Sequence, residues 1–154
     1  KINQFKEILN EYSFLSFIRF MRGGVYDGPF DKHLDNLYYI PQDKEYFYTN
    51  QVALWKTRDL EKIHKLGPNL HIANKDWQNS FEYQATKTCK ELNIKGLFCY
   101  YEEDKRGMYH YDSTVWPHIS TALVKGKWNM SEYPTEMTEI IKKYKINISK
   151  RGWV

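Results

Sequence analysis

Aromatic side chains constrain this chain more than any other feature. With 5 Trp, 13 Tyr and 8 Phe, they make up 17% of its 154 residues. That much planar apolar surface must be buried or put to use, and disordered chains are poor in it. The length matches one domain, and a chain this long buries about 70% of its unfolded surface on folding. Mean hydropathy is −0.73, and no apolar run approaches the roughly 20 residues of a membrane-spanning helix. The expectation is one folded domain over residues 1–154.

Charge excludes a second class. Lys and Arg number 23 against 19 Asp and Glu, a net charge of +4. Acids and bases are mixed until Lys142, Lys143, Lys145, Lys150 and Arg151. That tail reads either as an anion-binding patch or as a solvated helix end. Nucleic-acid domains tend to a clustered basic face, so no nucleic-acid partner is expected. Cys89 and Cys99 are too few for a disulfide scaffold or a structural zinc site. Lys1 leads an amphipathic stretch rather than an apolar leader. The expected setting is therefore cytoplasmic, in solution or peripheral to a membrane, with the oligomeric state open. Asn129-Met130-Ser131 and Asn147-Ile148-Ser149 match the glycosylation pattern and are read as chance.

Periodicity predicts alternating helices and strands. Phe5, Ile8, Leu9 and Tyr12 fall on one face of a helix over residues 3–12. Ser13–Met21 is apolar and suits either a buried strand or more helix. Val25–Lys44 is rich in turn residues, and Tyr38-Tyr39-Ile40 argues that part of it packs. A strand is expected over 46–55 and a short helix from Thr57 to Leu66. Asp76 opens a longer helix with Trp77, Phe81, Ala85, Cys89 and Leu92 on one face. Gly96–Tyr101 reads as a strand, 102–107 as a charged loop and Ser113–Val124 as a helix. Pro134 suits the first turn of a last helix bearing Met137, Ile140, Ile141 and Tyr144. The predicted class is α/β: a mixed sheet flanked by helices.

Familiar catalytic motifs are missing: no phosphate-binding Gly-x-x-x-x-Gly-Lys-Ser/Thr, no Gly-x-Gly-x-x-Gly, no His-Glu-x-x-His, no Gly-x-Ser-x-Gly and no Asp-x-Asp. Four stretches carry chemistry instead. His110 and Asp112 are two apart, so on a strand they project to one face and can meet one metal ion. The alternative is a packed histidine and a turn aspartate. Downstream, Lys125-Gly126-Lys127-Trp128 sets two lysines about a glycine, suited to a diphosphate or to an ordinary surface turn. Glu82 lies one position round its helix from Phe81. There it is either a partly desolvated general base or a plain solvent-facing acid. The loop from Arg22 to Asp31 offers Asp27 for gripping hydroxyl groups. Tyr26, Tyr38, Tyr39, Trp55 and Trp77 offer flat faces to sugar rings, or simply pack.

The runs KRGMYHYDSTVWPHISTALVKGKWNMSEYP (residues 105–134), YFYTNQVALWKTRDLEKI and WQNSFEYQA together resemble GT-A-type glycosyltransferases of surface-polysaccharide pathways. The resemblance spans roughly residues 45–140 and is closest to their acceptor-side, C-terminal half. It implies a GT-A nucleotide-sugar fold, or a portion of one, with the chain a single domain or a piece of a larger catalytic domain. It implies transfer of a sugar from a nucleotide-sugar donor to a carbohydrate or glycolipid hydroxyl, with Mn2+ or Mg2+ on the diphosphate. By position, Glu82 would be the catalytic base and His110 the late metal ligand, with Asp112 beside it. Lys125, Lys127 and Trp128 would bind the donor. Asp27, Gln51, Trp55 and Trp77 would lie on the acceptor side. The absent Asp-x-Asp departs from the family pattern and puts the metal in doubt. A different class uses the same residues without catalysis, as a carbohydrate- or partner-binding module.

Overall fold

The structure is a computed structural model, and it describes residues 1–23, 28, 30–66, 80–106 and 110–154, with His110 described by its backbone alone. Among the described residues, four α-helices and a mixed sheet form the body. Helix α1 (Ile2–Glu11) precedes strand β1 (Leu15–Arg19). Strands β2 (Lys32–Leu34), β3 (Leu37–Tyr39) and β4 (Ala53–Trp55) follow, then helices α2 (Thr57–Leu66) and α3 (Phe81–Glu91) and strand β5 (Lys95–Cys99). The strand order is β2-β3-β5-β1-β4. Strand β1 runs parallel to β5 and antiparallel to β4, while β3 runs antiparallel to β5 and to β2.

Strand alternation builds the layers. Ile18, Phe20, Leu97 and Cys99 face α1 and meet its Phe5, Ile8 and Leu9. Phe17 and Phe98 face the other way and meet Ile63 of α2 with Ala85 and Cys89 of α3. A sheet covered on both faces explains why all five residues of β1 are buried. The mixed α/β class expected from the sequence is therefore present. Much of the aromatic content is core: Phe17 stacks on Trp55 with ring centroids 4.0 Å apart, and Phe98 on Tyr38 at 5.4 Å.

Two short hairpins and a helix complete the chain. Strands β6 (Lys105–Arg106) and β7 (His110–Tyr111) pair antiparallel, as do β8 (Leu123–Val124) and β9 (Lys127–Trp128). Helix α4 (Pro134–Tyr144) starts with Pro134 in its first turn, as expected. No helix among the described residues is long and apolar enough to cross a membrane.

Several elements depart from the sequence reading. The strand expected over 46–55 shrinks to Ala53–Trp55, because Phe47–Val52 is drawn into turns that reach across to α3 and β1. The helix expected over Ser113–Val124 does not form. The Ser113 hydroxyl donates to the Phe20 carbonyl and accepts the Trp116 N–H, and Pro117 lacks a backbone donor. Ser80 caps α3, accepting the Tyr83 N–H at 3.3 Å. Asp76 and Trp77, expected on that helix, lie outside the described residues. The charged loop at 102–107 instead supplies strand β6.

Candidate functional site

The turn at 47–51 brings distant residues together at the carboxyl end of β1. Arg19 is the last residue of β1 and points to the α2/α3 side, as Phe17 does. Its side chain is only 5% exposed. Nη1 donates to Gln51 Oε1 at 3.4 Å, and Nη2 to the Phe47 carbonyl at 3.3 Å. Gln51 Oε1 also accepts from the Thr49 hydroxyl at 3.5 Å. Glu82, in the first turn of α3, accepts the Asn50 N–H on Oε1 at 2.6 Å. A carboxylate there is favoured by the positive end of the helix. One turn further along, Thr86 Oγ1 accepts the Tyr48 N–H at 3.0 Å, so two side chains of α3 pin the turn.

Burial dominates the electrostatics. Desolvation lowers the Arg19 guanidinium to about 10, with the charge of Glu82 pulling the other way. Tyr48 is shifted upward, first by burial and then by Cys89 and Glu82. Gly23 closes the cluster from the β1 side with φ +76°. A Cβ there would stand 2.9 Å from Arg19 Nη1 and 3.0 Å from Gln51 Oε1. Gln51 and Glu82 are half-buried, so their side of the cluster reaches solvent. The arrangement offers a fixed carboxylate, a side-chain amide and a buried cation within one small volume.

Two residues singled out from the sequence, Glu82 and Gln51, are thus held on one turn, Glu82 by the N–H of Asn50 and the adjoining Gln51 by Arg19. Trp55 is near them through Tyr48, at 5.6 Å between ring centroids, but one of its faces is taken by Phe17. Asp27 and Trp77 lie outside the described residues, as does the His110 side chain. Arg19 itself was not singled out. The signal for it is an arginine inside the run Leu15-Ser16-Phe17-Ile18-Arg19-Phe20-Met21, since a strand buried on both faces rarely tolerates a cation without purpose.

Other candidates belong to other parts of the molecule. Lys125 and Lys127 are exposed on the β8–β9 hairpin, whose turn uses left-handed conformations at Lys125 (φ 49°) and Gly126 (φ 80°). Trp128 is half-buried beneath it and bridges to Trp153. The Asp112 carboxylate is engaged by Arg106 Nε at 3.1 Å, and Arg106 Nη2 reaches Glu136 at 3.1 Å. Asp112, Glu136 and Glu103 line a cleft of about 470 Å3. Glu103 is committed there, accepting the N–H groups of Tyr101 at 2.6 Å and Thr114 at 2.9 Å. A carboxylate neutralised by arginine is a poor partner for Mn2+ or Mg2+. Among the described residues no three His, Cys, Asp or Glu side chains are grouped to hold a metal. Asn129 is fully buried and hydrogen-bonded at both ends of its amide, so it offers no glycosylation site in the folded chain.

No protein-family model, curated protein or solved structure matches this chain.

Proposed function

We propose that the chain is a glycosyltransferase that moves a sugar from a nucleotide-sugar donor to a hydroxyl of a carbohydrate or glycolipid acceptor. The supporting observation is the meeting of Glu82 and Gln51 at the carboxyl end of β1. Open α/β sheets place their ligands at such strand ends. The Asn50 N–H holds one Glu82 oxygen, which fixes the plane of the carboxylate and leaves its other oxygen to accept a proton. The Gln51 amide, anchored through its oxygen by Arg19 and Thr49, orients a hydroxyl-bearing ring with the two N–H donors of its nitrogen.

Chemistry then assigns the roles for a direct displacement. Glu82 takes the acceptor hydroxyl proton as the oxygen bonds to the anomeric carbon. The bond from that carbon to the diphosphate breaks, and its electron pair leaves with the diphosphate. Negative charge grows on the leaving group, so a cation aimed at it lowers the barrier. In this reading the GT-A fold of the sheet and helices is part of the proposal. Lys125, Lys127 and Trp128 remain donor candidates only if the hairpin approaches the nucleotide. Arg106 holds one oxygen of Asp112, and His110 with Asp112 stays in the proposal as the metal-side pair.

The test is a panel of nucleotide sugars read by thermal shift and by turnover. Glu82→Gln should keep donor binding and lower kcat by about a hundredfold or more, the scale of a lost general base. Full turnover in that variant would refute the assignment. Sugar binding by the unaltered protein without any turnover would identify a binding module in place of an enzyme.

A further inference from the structure

We propose that the face built by the β8–β9 hairpin and the segment after α4 docks on the surface of a bilayer rich in anionic lipid. Charge is segregated there. Residues 119–131 and 140–154 hold seven of the 23 Lys and Arg and no Asp or Glu. The other 16 stand against 19 Asp and Glu, so the rest of the chain has a net charge of −3. Backbone pairing joins the two segments. The Trp128 N–H donates to the Gly152 carbonyl at 3.0 Å, and the Val154 N–H to the Trp128 carbonyl at 2.9 Å. Arg151 Nη1 reaches the Gly126 carbonyl at 3.5 Å. Lys125, Lys127, Lys150 and Arg151 are thereby gathered round one hairpin, all exposed. Among the described residues none of these four forms an ion pair. The helix dipole accounts for Lys142 and Lys143 at the end of α4, but not for cations on a hairpin. Lys125 also takes a left-handed position (φ 49°) that a two-residue hairpin turn ordinarily gives to Asn or Gly. A cation is kept there against the backbone's preference.

Apolar surface lies beside the charge. Trp128 pairs with Leu123 across the hairpin and bridges to Trp153, so the three side chains emerge on one face of neighbouring strands. Leu123 is 39% exposed and Trp153 59%. A tryptophan ringed by lysines suits the headgroup boundary of a bilayer. The indole settles at the edge of the acyl chains while the cations meet lipid phosphates. Nucleic acid would use the cations and leave the leucine idle, so the mixed surface favours lipid. The inference stands apart from the transferase reading at Glu82 and Gln51. It gives Lys125 and Lys127 lipid phosphates in place of a donor diphosphate, and it brings the chain to the surface on which a glycolipid hydroxyl is presented.

Co-sedimentation of the full chain with vesicles of phosphatidylglycerol and phosphatidylcholine in equal parts tests this. Binding is expected, with none to phosphatidylcholine alone, and it should fall steeply as salt is raised. A cation at such a surface is worth about fivefold in partitioning, so Lys125→Gln combined with Lys127→Gln should weaken binding about twentyfold. Brominated acyl chains should quench the tryptophan fluorescence of the bound protein. Trp153→Phe should remove most of that quenching while the urea midpoint holds. Equal binding to neutral vesicles would overturn the proposal. So would undiminished binding by the double glutamine variant with its circular dichroism unchanged. Displacement by a single-stranded oligonucleotide, with no quenching by brominated chains, would give the face to nucleic acid and overturn it as well. Vesicle binding that persists in a protein inactive on every nucleotide sugar refutes the transferase reading alone.

Discussion

Gly96→Ala should destabilise the protein sharply, because Gly96 is the floor on which the Phe17 ring lies. The two residues are register partners on the parallel strands β1 and β5. A Cβ on residue 96 would stand 2.1 Å from one Phe17 ring carbon and 2.2 Å from the next. Carbon atoms settle at about 3.5–4.0 Å, so the ring must retreat by well over an ångström. It has nowhere to go: Trp55 stacks on it at 4.0 Å, Phe47 meets it edge-on at 5.6 Å, and only 2% of Phe17 is exposed. Overpacking of this kind costs about 1–3 kcal/mol, and full eviction of the ring approaches the 3–5 kcal/mol of a Phe→Ala substitution. Urea unfolding followed by tryptophan fluorescence gives the loss directly. A double-mutant cycle isolates its cause. In a Phe17→Ala background the clash is gone, and Gly96→Ala should then cost nothing or stabilise by up to about 1 kcal/mol, as alanine does over glycine in a strand. The same large loss in both backgrounds would refute the reasoning.

Thiol chemistry, pH and a buried amide give further tests. Burial pushes both the Cys89 and Cys99 thiols up to about 12, so neither should react with a thiol reagent near neutral pH until the chain unfolds; fast labelling of native protein would contradict this. His33 is lowered by desolvation against the opposing charge of Glu11, and its Nδ1 pairs with the Tyr39 hydroxyl at 2.7 Å. The fold therefore favours neutral His33, so its contribution is fully present above the unfolded value of about 6.5 and is lost as pH falls from there through the lower folded value. The drop in urea midpoint between about pH 7.5 and pH 5.5 should shrink in His33→Gln, and an equal drop would count against the assignment. Asn129 donates to the Thr121 carbonyl and Glu132 and accepts from Ser131 and the Glu132 N–H, fully buried. Asn129→Ala should cost about 2–3 kcal/mol in unfolding free energy by leaving these groups unpaired.

What could be read from the sequence was whatever local periodicity decides. Phe5, Ile8 and Leu9 point one way on a helix, and all three are buried in α1. Pro134 and Met137 likewise announced α4, with Met137 buried. Residues 46–55 misled because their β-forming side chains serve tertiary contacts: Phe47 and Tyr48 are buried under α3, and the backbone between them and Ala53 bonds to side chains of other elements. Residues 113–124 misled for a related reason, since Ser113 is spent on a carbonyl of the loop after β1, far away in sequence.

The site follows the same division. Glu82 was legible because it sits in the first turn of a helix beside aromatics, a local pattern. Arg19 was not, because its meaning depends on which face of a doubly covered strand it occupies and on what the turn at 47–51 brings to it. Periodicity in an apolar run is silent on both. Within β1 the arginine breaks the expectation that a central strand carries only apolar residues, and the fold keeps it with neutral partners at long range. Sequences that agree with their fold at every other level tend to break local rules where they function. If stability alone had shaped this position, an apolar residue would serve β1 better, and Arg19→Met should then raise the unfolding midpoint. An unchanged or lower midpoint would show instead that its bonds to Gln51 and the Phe47 carbonyl outweigh the cost of burying the charge.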